Sequence, residues 1–213
     1  MNPIEWFAWL TRPDGLMAVL SSNWLLGSLI VAAIVFLETG LVVLPFLPGD
    51  SLLFATGAFL GVAGVSPLPS LAMITLAAIA GDALNYSLGR SRTLGGRLLA
   101  RIPPAHAAQA RAYFSRYGGM TVTLARFIPI VRTVAPFVAG LTHMPARGFA
   151  VFNVLGAIAW TGSLIMLGYL LGAIDWVRAN LHWLSLAIVL LSVGPIAVKL
   201  LAGRRAWPGG ADA

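Results

Sequence analysis

Cysteine is absent from the 213 residues. That excludes disulfides, thiolate metal sites and cysteine nucleophiles. Charge is nearly as scarce: 10% of the residues are charged and 59% are hydrophobic, where soluble domains carry about 25% charged residues. So little charge cannot cover a water-soluble surface of this size, and one compact membrane domain follows. The three histidines, His106, His143 and His182, are far apart and sit at no ligand spacing, so neither a metal nor a cofactor is expected. The net charge of +7 comes from 14 Lys+Arg against 7 Asp+Glu. A basic balance can serve nucleic acid. Here most basic residues fall between apolar runs, where cytoplasmic loops of membrane proteins concentrate Lys and Arg, and no nucleic-acid partner is expected.

The first residues, MNPIEWFAWL, have no basic segment and no cleavage site after an apolar run, unlike a signal peptide. Trp6, Phe7, Trp9 and Leu10 suggest an interfacial segment over residues 1–15. Residues 16–203 then read as a single transmembrane domain and 204–213 as a tail. Four apolar runs, near 16–37, 68–88, 149–171 and 181–201, are each about the length a helix needs to cross a bilayer.

Two further apolar runs, 39–61 and 119–141, are long enough to cross but carry prolines and charges in their middles. Pro45, Pro48 and Gly49 break the first, and Pro129 and Pro136 interrupt the second. Broken backbone at membrane depth is tolerated only inside protein or beside water. Both runs therefore read as re-entrant hairpins. The stretch 90–118 holds Arg90, Arg92, Arg97, Arg101, Arg111 and Arg116 with no acid, which places it in the cytoplasm. Following the chain outward from it, the first hairpin opens outside, the second opens inside, and both termini are cytoplasmic. The expected fold is an all-α membrane protein: a helical bundle with two re-entrant hairpins in an inverted-repeat arrangement, as in many transporters.

The informative residues are the charges inside these runs: Glu38, Asp50, Arg126 and Arg132, with Asp82 as a fifth. One charge at the centre of a lone helix costs about 2.5–3.5 kcal/mol, so these must be paired or hydrated. Mutual neutralisation alone would account for them blandly. Intramembrane ionisable residues, however, mark substrate or ion paths. Pro48-Gly49-Asp50-Ser51 reads as a turn and helix start, with Asp50 or Ser51 as N-cap. Arg132-Thr133 reads as a second helix start, with Pro136 in its first turn. Two helix N-termini facing one centre attract anions, and the guanidiniums of Arg126 and Arg132 match phosphate geometry. Glu38 and Asp50 are candidates for exchanging protons, because taking a carboxylate out of water favours its neutral form.

At these residues the chain resembles the DedA family of membrane proteins. The matching pieces are FLETGLVVLPFLPGD (36–50), GDALNYSLGR (81–90) and ARFIPIVRTVAPFVAG (125–140), which anchor a resemblance over roughly 30–175. The resemblance implies two re-entrant hairpins, a bacterial inner-membrane location and translocation of an anionic lipid phosphate. Undecaprenyl phosphate returned to the cytoplasmic leaflet is the expected cargo, with dependence on the proton-motive force. It also implies essential acids at Glu38 and Asp50 and essential arginines at Arg126 and Arg132. Gly81, Asp82, Tyr86, Gly89 and Arg90 match a third motif, and Asn85 stands where many members have glycine.

Ser51, Thr133, Asp82, Tyr86, Arg90 and Asn153 are expected to support the site. Asn153 either lines it or bonds a neighbouring helix. Gly57/Gly61 and Gly168/Gly172 have the spacing of close helix packing, and Trp160, Trp176 and Trp183 read as core or interfacial aromatics. Partners are membrane lipids and protons; a homo-oligomer is left open. A proton or small-ion antiporter using the same acids, a broader phospholipid scramblase and an enzyme acting on lipid phosphates are the competing readings. The enzyme is the weakest, because no histidine, cysteine or metal cluster accompanies the arginine motif.

Overall fold

The computed structural model describes residues 23–40, 49–91, 93–100 and 116–174, with isolated positions 104, 108, 112 and 114. The helices are α1 (Trp24–Gly40), α2 (Gly49–Ala63), α3 (Leu68–Arg90), α4 (Leu94–Leu99), α5 (Thr121–Ala125, entered through a 3₁₀ turn at Gly118–Met120), α6 (Pro129–Leu141) and α7 (Ala146–Gly172). Among the described residues there is no strand. α3 and α7 are long and apolar enough to cross a membrane. The interfacial segment 1–15, the run at 181–201 and the tail lie outside the described residues, as do parts of the 90–118 loop.

Local chemistry sets the helix ends. Asn23 caps α1, its Oδ1 accepting from the backbone N–H of Leu25 and Leu26 at 3.1 Å. α3 and α7 start directly after Pro67 and Pro145. α5 stops at Ala125, Ile128 is extended (φ −119°, ψ 105°), and Pro129 opens α6. A residue before proline is pushed out of the helical region, so Pro129 both ends one helix and begins the next. Two expected helix starts shift. Gly49 is already helical, so Asp50 and Ser51 sit in the first turn of α2 rather than capping it. α6 begins at Pro129, not at Arg132, which leaves Pro136 inside the helix.

Cross-helix contacts give the helix directions. Ser28 bonds Ser70 at 2.7 Å, and Gly40 packs on Gly81; α1 and α3 run the same way. Gly57 packs on Ile165, and Gly61 on Tyr169 and Gly172; α2 and α7 also run together. Asn85 bonds the Thr133 carbonyl at 2.9 Å and Gly89 lies on Phe137; α6 runs with α3. Thr123 bonds the Phe152 carbonyl at 2.7 Å, and Gly156 faces Arg126; α5 runs with α7. Thr75 bonds Thr161 at 2.7 Å while Asn153 bonds the Ile79 carbonyl at 3.1 Å, so α3 and α7 are antiparallel.

Apart from the short α4, the described helices form two sequential three-helix units, α1–α2–α3 and α5–α6–α7, in which α1, α3 and α6 run one way and α2, α5 and α7 the other. Each unit's second helix packs on the long helix of the other. The helix of the expected run at 16–37 continues, in its described part, through Thr39 and Gly40.

Close approach of α2 to α7 depends on the glycines at 57, 61, 168 and 172, each of which faces backbone of the other helix. The apolar interior gathers Val31, Val35, Leu52, Leu53, Ile74 and Ile165. Large apolar side chains also point outward, including Leu25 and Leu29 on α1 and Leu155, Ile158, Leu167 and Leu170 on α7. An apolar exterior around a charged interior is the build of a protein whose solvent is lipid.

Candidate functional site

The breaks bring the charges together. Glu38 ends α1, Asp50 begins α2, Arg126 follows α5 and Arg132 lies in the first turn of α6. The acids at the ends of α1 and α2 meet Arg132. Arg132 Nη2 donates to Glu38 Oε1 at 2.5 Å and Nη1 to Asp50 Oδ1 at 2.7 Å. Arg126 turns the other way: its Nη2 donates to Asp82 Oδ2 at 2.6 Å and to Asn153 Oδ1 at 2.7 Å. The sequence left the pairing open; the structure divides it into Glu38–Arg132–Asp50 and Asp82–Arg126–Asn153.

Burial is deep but uneven. The Glu38 side chain is 0% exposed, those of Asp82, Arg126 and Arg132 are 3%, 1% and 7%, and that of Asp50 is 46%. Removing one partner of a buried pair typically costs about 3–5 kcal/mol, because the other charge is left stranded. Even so, the cluster is under-satisfied: Arg126 Nε and Nη1, Arg132 Nε, Glu38 Oε2 and Asp82 Oδ1 are buried without a hydrogen-bond partner among the described residues. Buried polar atoms of this kind call for a ligand or water.

Small residues give the charges room. A Cβ on Gly156 would press on Arg126 Cδ at 3.0 Å, and one on Gly49 would collide with the Glu38 carboxylate. Ser51 and Thr133 are buried beside Asp50 and Arg132 in the chain. Tyr86 and Arg90 stand apart from the charges. Tyr86 stacks on Phe149, donates to the Met144 carbonyl at 2.5 Å and accepts from Arg90 Nη1 at 2.7 Å, tying α3 to the connection after α6. Asn153 accepts from Arg126 and donates to the Ile79 carbonyl on α3.

Two residues of the cluster were not picked out by sequence reasoning. Asn85 is fully buried and its Nδ2 donates to the carbonyls of Thr39 (3.1 Å) and Thr133 (2.9 Å), joining the two units beside their breaks. Its signal was a polar residue one helical turn from Asp82 in an otherwise apolar helix. Trp160 lies against both arginines, its ring centroid 5.7 Å from the Arg126 guanidinium and 5.0 Å from that of Arg132. Its Nε1 donates to Asp50 Oδ1 at 2.9 Å. An aromatic in an apolar helix carries no sequence signal for such a place. Among the described residues no group of His, Asp and Glu is placed to hold a metal ion.

Comparison with known proteins gives a consistent picture. The family model described as the VTT domain matches residues 47–170. Protein DedA of Escherichia coli is 42% identical over 185 residues, covering 83% of each chain. An uncharacterized membrane protein of Mycobacterium tuberculosis is 36% identical, covering 84% of this chain and 82% of its own. The inner membrane protein YghB of Escherichia coli is 34% identical, over 81% of this chain and 80% of its own. No solved structure matches the chain.

Proposed function

The chain belongs to the DedA family of membrane proteins, which carry the VTT domain, and on that footing we propose that it translocates an anionic lipid phosphate across a bacterial inner membrane. The observation that carries the reading is the pair of deeply buried arginines that both lie against Trp160, both with guanidinium N–H groups free of protein partners among the described residues. A guanidinium presents planar donors that match a phosphate. Undecaprenyl phosphate, moved toward the cytoplasmic leaflet, is the cargo we assign, with Arg126 and Arg132 as headgroup ligands and Glu38 and Asp50 as the proton-coupling acids. No catalytic residue is assigned. A proton or small-ion antiporter would use the same acids, but a cation path has no use for an arginine seated on both of them.

The helix directions support reading α1–α2 and α5–α6 as re-entrant hairpins of an inverted repeat, entering from opposite faces and meeting at their breaks. Gly119 packs against Met144, which brings the two ends of the second hairpin to one level. The basic stretch at 90–118 puts that end in the cytoplasm. Cytoplasmic termini would follow from segments outside the described residues.

Flipping of labelled undecaprenyl phosphate in proteoliposomes tests the proposal. Arg126→Lys and Arg132→Lys keep the charge but lose the planar fork, and each is expected to slow flipping by about tenfold or more. Wild-type vesicles that flip no faster than empty ones would overturn the reading.

A further inference from the structure

A single carboxylate oxygen, Asp50 Oδ1, accepts from both Arg132 Nη1 at 2.7 Å and Trp160 Nε1 at 2.9 Å. Both donors come from well-packed side chains: Trp160 is 2% exposed and Arg132 7%. Their acceptor does not, since the Asp50 side chain is 46% exposed. Arg132 is also held from its buried side by Glu38 at 2.5 Å, and its Nε has no partner among the described residues. The donors are packed in and the acceptor is the exposed member of the three.

We propose that Arg132 Nη1 and Trp160 Nε1 form a two-donor seat for one oxygen of a phosphate monoester, and that Asp50 competes for this seat until the headgroup displaces it. The inference rests on the lipid-phosphate reading above and adds to it a binding residue, Trp160, and a role for Asp50. A buried indole N–H requires an acceptor, as does a buried guanidinium N–H. When the Asp50 carboxylate swings out, both donors lose theirs at once. An incoming phosphate oxygen at the same point restores both bonds, and charge-assisted bonds of this kind are the strong ones. Glu38 stays on Arg132 throughout, so the guanidinium never stands without a counter-charge. Trp160 therefore contributes twice: its ring faces both arginines, and its N–H reads the anion.

Isothermal titration of the full-length protein in detergent separates these roles. The probes are farnesyl phosphate, a short prenyl phosphate monoester, and inorganic phosphate. Trp160→Phe keeps a ring against the arginines but removes the donor, and should weaken farnesyl phosphate binding about tenfold. Asp50→Ala removes the competitor and should tighten binding several-fold relative to wild type. Glu38→Gln removes the same charge but leaves Asp50 in the seat, so it should tighten binding less than Asp50→Ala. Stronger binding of farnesyl phosphate than of inorganic phosphate assigns the seat to a lipid headgroup; equal binding assigns it to the free anion. If wild type binds neither probe, the lipid-phosphate reading itself falls. If wild type binds farnesyl phosphate but Trp160→Phe binds it equally well, or if Asp50→Ala is no tighter than Glu38→Gln, the seat is wrong and the broader reading stands.

Discussion

The carboxylate of Glu38 lies against Gly49 so closely that a Cβ at position 49 would collide with Glu38 Oε2. The first residue of α2 thus sets where the last acid of α1 can stand. The atom in the way is the end of a flexible side chain and not backbone, so the clash is relieved by moving the carboxylate. Moving it takes Glu38 off Arg132, to which it is bound at 2.5 Å. Gly49→Ala is therefore expected to fold and insert normally while losing most of its transport. Detergent melting and proteoliposome flipping, measured on one preparation, check this. Unchanged flipping would show that the Glu38–Arg132 geometry has slack.

The glycines between α2 and α7 give the opposite outcome. A Cβ at Gly57 would meet the Ile165 backbone, and one at Gly168 the Phe54 and Ala58 backbone. Backbone in a packed helix cannot step aside, and overpacking costs about 1–3 kcal/mol. Gly57→Ala and Gly168→Ala should each lower stability by that order. Gly162 lies in the same helix with nothing near its Cβ position. Gly162→Ala should be neutral or stabilising by up to about 1 kcal/mol, from helix propensity alone. Unfolding titrations of the three variants in mixed micelles decide it; equal effects at all three positions would remove packing as the cause.

These contrasts mark what could be read in the sequence. Pro129 announced the break before α6, and the glycine spacings announced close packing, because backbone rules act locally. The charges at 38, 50, 126 and 132 announced a site, because a charge in an apolar run is too costly to be incidental. Their pairing was hidden, since Glu38 and Arg132 are 94 positions apart and either acid suits either arginine. Apolar length at 16–37 showed that a helix can form there, not where it stops: α1 runs on to Gly40. Asn85 and Trp160 were passed over for a related reason: what they do depends on carbonyls and guanidiniums brought by other helices.

The topology of the two units is open to direct labelling, helped by the absence of native cysteine. Asn23 and Ser66 are exposed at the two ends of the α1–α2 arm pair, and Tyr117 and Ala146 at those of α5–α6. Single cysteines at 23 and 66 should react with a membrane-impermeant maleimide from one face, and those at 117 and 146 from the other. Reaction of positions 23 and 66 from opposite faces would make the α1–α2 pair a full crossing.

Proton coupling follows from the way Arg132 is shared. Glu38 and Asp50 both lean on it, at 2.5 Å and 2.7 Å. A phosphate that takes part of the Arg132 donor set competes there with the two acids, and a carboxyl that holds a proton competes less than a carboxylate. Phosphate arrival and proton arrival would then assist each other, and such assistance is reciprocal. An amide resembles a carboxyl that already holds its proton. Glu38→Gln and Asp50→Asn are therefore expected to insert and to bind farnesyl phosphate, yet to flip lipid at a rate that no longer depends on an imposed pH gradient. Wild-type flipping should change with the gradient under the same conditions. The comparison needs one set of proteoliposomes per variant, assayed with and without the gradient and again after a protonophore. If both amide variants respond to the gradient as wild type does, the acids serve only to hold Arg132 in place, and the driving force enters elsewhere.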